Sequence, residues 1–153
     1  MTTVTPLKAA VIGVGMMGRN HARVYAQMRQ APLVAVADPD SAALESIERT
    51  YKVHVYTDYR EMLEREKPDL VSVAVPTCLH GEVATVAMSM GVHVFMEKPL
   101  AATVPEGEKL VEQARKAGVK LAVGHIERFN PAVLALKKEL DAGQLGRIFQ
   151  IHA

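Results

Sequence analysis

The chain has 153 residues, a formal net charge of +1, and 49% hydrophobic against 23% charged residues, enough for one domain with a real core and ordinary for a soluble globular protein. With no basic block, no Trp and only 5% aromatic residues, nucleic acid is not expected as a partner. No apolar run approaches the roughly 20 residues that span a bilayer, Met1–Pro6 lacks a secretory pattern, and the lone Cys78 fits a reducing compartment, so a cytoplasmic protein away from membranes is expected.

Strand-like and helix-like segments alternate along the chain. Residues 8–12 read as a buried strand, about 17–30 as a helix, and 33–37 as a second buried strand. A helix is expected from about Ser41 to Tyr51, then a short strand over 53–56. Asp58 caps the next helix, which stops before Pro68. Residues 70–75 form a strand ended by Pro76, and a helix runs from about His80 to Met90, with Gly91 as its stop. Residues 92–96 form a strand, Pro105 sits at the start of a helix ending near Gly118, and 120–123 form a further strand. This alternation predicts an α/β fold, a Rossmann doubly wound parallel sheet of strand order 3-2-1-4-5-6. Gly13, Asp38, Pro76, Glu97 and His125 all follow strands, so they should border one crevice at the carboxyl edge of the sheet. After Gly124 the pattern changes. Pro131 opens another helix through Leu140, and 147–153 alternate polar with apolar residues, as in a half-buried antiparallel strand. A strand at the very end of the sequence suggests a truncated chain.

The turn Gly13-Val14-Gly15-Met16-Met17-Gly18 follows the first strand and opens a helix, and Asp38 ends the second strand, close to the expected spacing of roughly 20 residues. This is the context of a dinucleotide-binding βαβ unit. Gly13 allows the tight turn, Gly15 lets a pyrophosphate approach the backbone, and Gly18 permits close helix packing. Met16 and Met17 offer backbone N–H groups at a helix start, which favours a diphosphate. The Asp38 carboxylate can accept hydrogen bonds from a ribose diol and would repel a 2′-phosphate, and Pro39 and Asp40, not arginine, follow it. NAD is therefore expected over NADP. His21, His54, His93 and His152 show no metal-ligand spacing, so no metal is expected.

With Glu97-Lys98-Pro99 after the fifth strand, Pro76-Thr77 with His80, and Gly124-His125-Ile126-Glu127-Arg128-Phe129-Asn130-Pro131, the chain resembles the Gfo/Idh/MocA oxidoreductases over essentially its whole length. The resemblance implies a Rossmann domain over residues 1–127 and, over 128–153, the start of a second α/β domain for substrate binding and oligomerisation. It implies a nicotinamide-dependent oxidation or reduction at a hydroxyl or keto carbon of a sugar, cyclitol or sugar nucleotide, and a homo-oligomer for the full-length protein. The run 124–131 looks most like 3-dehydrogenases of UDP-N-acetylglucosamine. Lys98 is then the catalytic residue, its charge stabilising alkoxide character as hydride leaves carbon. The resemblance adds Val75, Pro76, Thr77, His80, Glu97 and Arg128 to the cofactor site, His80 equally readable as a helix start and Arg128 as an interdomain brace. It also implies an Asp-and-His pair further along than Ala153, so this polypeptide alone is expected to bind NAD(H) with little turnover. The alternatives are a non-catalytic NAD(H)-binding sensor and an S-adenosylmethionine methyltransferase. Gly18 and Glu97-Lys98-Pro99 speak against the latter.

Overall fold

A computed structural model describes residues 5–151. Six strands form one parallel sheet: β1 (Ala9–Ile12), β2 (Leu33–Ala37), β3 (His54–Tyr56), β4 (Leu70–Val73), β5 (His93–Met96) and β6 (Leu121–Val123), in the order β3-β2-β1-β4-β5-β6. This is the expected doubly wound order. The helices between them are α1 (Met16–Gln27), α2 (Ser41–Tyr51), α3 (Tyr59–Glu66), α4 (Thr77–Ser89) and α5 (Val104–Ala117).

The two-residue period of β1 sorts its side chains. Ala10 and Ile12 face a core built with Met62 and Leu63 of α3, Ala84 and Met88 of α4, and Leu110 of α5. Val11 faces the opposite core, against Ala22 of α1 and Leu44 and Ile47 of α2. Apolar residues on both faces explain why the strands read as continuous hydrophobic runs. Capping sets most helix starts. Asp40 accepts from Ala42 and Ala43 N–H ahead of α2, Asp58 accepts from Arg60 N–H ahead of α3, and Thr103 with Glu106 forms a capping box on α5.

Three local readings change. Helix α4 begins at Thr77, earlier than His80, because Pro76 with φ of −54° already sits as its N-cap. Residues Ile126–Phe129 form a 3-10 helix before α6 (Pro131–Asp141), which Asn130 caps through Ala132 N–H. The strand expected over 147–153 is not formed in its described part. Residues 147–151 are exposed and have no ladder partner, and an alternating pattern makes a strand only where a neighbour takes its backbone hydrogen bonds. His152 and Ala153 lie outside the described residues. No residue of α6 is buried.

Candidate dinucleotide and substrate site

The strand order reverses between β1 and β4, and the turns leaving those strands meet there. Ala74 N–H donates to the Ile12 carbonyl (2.8 Å), and Gly13 N–H donates to the Ala37 carbonyl (2.8 Å). Gly13 has φ of +87°, and a Cβ on it would lie 2.6 Å from the Ala74 oxygen. A Cβ on Gly18 would lie 1.8 Å from the Gly13 oxygen. Those two glycines are demanded by the protein's own packing. Gly15 is different: a Cβ there would meet nothing within 4 Å. The missing side chain leaves open space at the start of α1, where a ligand can approach the backbone.

That helix start offers donors. Among the described residues, α1 and α4 begin without a side-chain cap, on Gly15 and Pro76 respectively. The first-turn N–H groups of a helix have no intrahelical partner, so an uncapped start is an anion site in waiting. Arg19 Nε donates to the Val14 carbonyl (3.1 Å) and so braces the turn. The groove of about 650 Å³ over this turn is lined by Gly15, Met16, Arg19, Asn20, Asp38 and Asp40, among others. Met16 projects into it and is 83% exposed, whereas the Met17 side chain enters an apolar cavity on the other flank of α1.

Asp38 is tied to the glycine turn. Its Oδ2 accepts from Val14 N–H (2.7 Å) and its Oδ1 from Asp40 N–H (2.9 Å). Each carboxylate oxygen retains a lone pair for a ribose hydroxyl. Uncapped N–H groups, open space at Gly15 and a carboxylate at the next strand end together fit the diphosphate and ribose of a dinucleotide.

Along the edge, Val75 packs partly into the core, Pro76 is exposed, and Thr77 opens α4 half-buried. His80, read as a cofactor contact or a helix start, lies within α4 and is buried. It is 1% exposed, with Nδ1 2.9 Å from the Pro99 carbonyl and Nε2 3.0 Å from the Val75 carbonyl. Both ring nitrogens face protein backbone, so any contribution to the cofactor site is made through the segments it touches. Glu97 is buried. Its Oε1 lies 2.9 Å from His21 Nε2, and its Oε2 accepts from Lys98 N–H at 3.1 Å. Lys98 is exposed, and no partner of its ammonium is found among the described residues. Arg128 is exposed in the 3-10 helix, its backbone N–H donating to the His125 carbonyl, and its side chain makes no hydrogen bond or ion pair among the described residues.

His21 is the residue that sequence reasoning passed over. It lies one helical turn after Gly18, on the face that the glycine presses against the turn, and that spacing marks it as inward-facing. Beside it Tyr25 hydrogen-bonds Ser72 (3.0 Å), and burial pushes the Tyr25 phenol above its ordinary range.

Residues 7–125 match the family described as "Oxidoreductase family, NAD-binding Rossmann fold". The chain belongs to this family, Gfo/Idh/MocA. It is 33% identical to scyllo-inositol 2-dehydrogenase (NAD(+)) of Bacillus subtilis, over 92% of this chain and 42% of that protein. Among solved structures it resembles scyllo-inositol dehydrogenase of Lactobacillus casei with bound NAD(H) and scyllo-inositol, with a TM-score of 0.87 and 26% identity, covering 94% of this chain and 43% of the other. It also resembles UDP-N-acetylglucosamine 3-dehydrogenase of Acidithiobacillus ferrooxidans, with a TM-score of 0.80 and 33% identity over 88% and 43%. The chain spans less than half the length of the curated relatives it matches.

Proposed function

We propose that this chain supplies the cofactor site and the reactive lysine of an NAD-dependent dehydrogenase acting on a CH–OH group of a cyclitol, sugar or sugar nucleotide. The observation that carries the reading is the empty space at Gly15 beside an uncapped α1, with Asp38 at one end of the same sheet edge and Lys98 further along it. The Gfo/Idh/MocA membership and the names of the relatives support it. In this reading residues 1–127 form the cofactor domain and 128–153 open the substrate domain. A reducing cytoplasm remains the setting it fits best.

Bound NAD supplies the hydride acceptor. The N–H groups of Met16, Met17 and Gly18 hold the diphosphate, and Asp38 accepts from the ribose diol. Asp38 and Asp40 together repel a 2′-phosphate, which favours NAD over NADP. Val75, Pro76 and Thr77 line the nicotinamide side. The Lys98 ammonium donates to the substrate oxygen and stabilises its growing negative charge. With this ammonium exposed and unpaired among the described residues, no ion pair with them has to break before it meets substrate.

Titration with NADH and NADPH, followed by the same titration on Lys98→Met, tests this. NADH binds more tightly than NADPH, and Lys98→Met keeps NADH affinity within about threefold. In any preparation that reduces NAD with scyllo-inositol or UDP-N-acetylglucosamine, Lys98→Met abolishes that reduction. An NADPH Kd at or below that for NADH refutes the cofactor preference, and turnover retained by Lys98→Met refutes the role of the lysine.

A further inference from the structure

Two histidines, the half-buried His21 and the buried His80, grip the segment that carries Lys98, one from each helix that starts at a cofactor turn. On one side His21 of α1 meets Glu97 Oε1 at 2.9 Å, and the other oxygen of that carboxylate accepts from Lys98 N–H at 3.1 Å. On the other side His80 of α4 reaches the Pro99 carbonyl at 2.9 Å while its second nitrogen faces the Val75 carbonyl at 3.0 Å. The peptide group before Lys98 and the Pro99–Leu100 peptide beyond it are thus both anchored, while the exposed Lys98 side chain has no partner among the described residues. We propose that His21 and His80 are positioning residues that fix the root of Lys98 relative to the two cofactor turns. The inference rests on the reading of Lys98 as the residue that meets substrate.

The surroundings argue for a directional role rather than for filler. Each ring makes hydrogen bonds that an apolar side chain of the same shape could not make, and those bonds are directed at the segment that carries Lys98. His80 is 1% exposed in an apolar core, and Glu97 is 7% exposed. The Glu97 carboxylate is also confined. Its Oε1 is engaged by His21 at 2.9 Å. With Oε1 held by His21, the carboxylate presents Oε2 to one amide, that of Lys98. A neutral imidazole carries a single N–H, so His80 donates to one of its two carbonyls at a time unless both nitrogens are protonated. In either case it links the exit of β4 to the backbone just past Lys98.

The test uses His21→Leu, His80→Leu and the Gln variant at each position, with NADH Kd, Lys98 amide exchange and the Lys98 13Cε resonance read on the same samples. In His21→Leu NADH Kd stays within about threefold, as the glycine turn, Asp38 and the Val75–Thr77 turn are untouched, and in His80→Leu it is read beside the exchange data because His80 also holds the Val75 carbonyl. Exchange at the Lys98 amide rises by about tenfold or more, while amides of β1 and α3 are unaffected. The change in the Lys98 13Cε resonance on adding NADH shrinks by at least half. Gln, which keeps a donor of similar reach, restores part of both signals. If a Leu variant does not fold, Asn, too short to span either contact, replaces it and is judged in the same way. Unchanged Lys98 amide exchange together with an unchanged NADH response overturns the proposal. Failure of the unsubstituted chain to bind NADH overturns the functional reading instead, and amide exchange without cofactor still decides whether the histidines hold Lys98.

Discussion

Replacing Gly15 and Gly18 separately by alanine divides ligand recognition from packing within one turn. The Gly15 backbone has φ of −63°, which alanine adopts freely, and its new Cβ would meet nothing within 4 Å. Alanine loses some preference at an N-cap but also reduces unfolded-chain entropy, and both effects are about 0.5–1 kcal/mol with opposite sign. The melting temperature of Gly15→Ala should therefore stay within about 3 °C of the unsubstituted chain. On the proposed reading, the methyl group nevertheless stands where a diphosphate approaches. Loss of even one charge-assisted hydrogen bond, about 1.5–3 kcal/mol, lowers NADH affinity by about tenfold or more. Gly18→Ala behaves in the opposite way. Its Cβ would sit 1.8 Å from the Gly13 oxygen, a backbone atom that cannot swing aside. Overpacking costs about 1–3 kcal/mol and occasionally more, and this contact belongs at the upper end, a drop of about 6–12 °C. Differential scanning calorimetry and NADH titration on the two variants give both numbers. Gly15→Ala binding NADH as tightly as the unsubstituted chain would falsify the cradle, and Gly18→Ala melting unchanged would refute the packing argument.

Other outcomes follow from single contacts. Thr103→Ala removes the α5 capping box and should lower stability by about 1 kcal/mol, a fall of about 2–4 °C, without altering NADH affinity. Burial opposes ionisation of Glu66, but hydrogen bonds from Tyr56 and His54 outweigh it and hold its carboxyl below the ordinary 4.5. A depressed carboxyl adds stability above its unfolded pKa and loses it as pH falls through the folded value. Glu66→Gln should therefore melt lower at about pH 7, and the difference should close by about pH 3. An unchanged difference at the two pH values would show that the contact is not charge-dependent. Leu63→Ala, at a fully buried position of the core on the α3 side of the sheet, should cost about 2–5 kcal/mol by thermal denaturation.

The layout of the site was legible in the sequence where a residue type is forced by backbone geometry. Gly13 and Gly18 are required by contacts of 2.6 and 1.8 Å, and Asp38 ends a strand whose apolar run is plain. Asp58 and Pro105 mark their helix starts for equally local reasons. What sequence could not show was contact across the chain. His21 was weighed only against metal-ligand spacing, yet its partner Glu97 is 76 residues away. The sequence reads His80 as a cofactor contact or a helix start, and the fold brings its ring against the carbonyls of Val75 and Pro99, which no local pattern shows. The strand expected over 147–153 fails for a related reason. Alternation specifies two faces, but the described residues there have no strand to pair with. The short 3-10 helix over Ile126–Phe129 leaves too brief a period to read.

The central claim is that the turn from Gly13 to Gly18, with Asp38, binds NAD(H). Isothermal titration of this chain with NADH, beside Asp38→Ala and with a melting curve on each sample, tests it most directly. The account predicts saturable NADH binding that weakens in Asp38→Ala, because the variant loses both the ribose acceptor and the brace on Val14 N–H. A folded chain that shows no NADH binding, or an Asp38→Ala variant that binds as tightly, would contradict it.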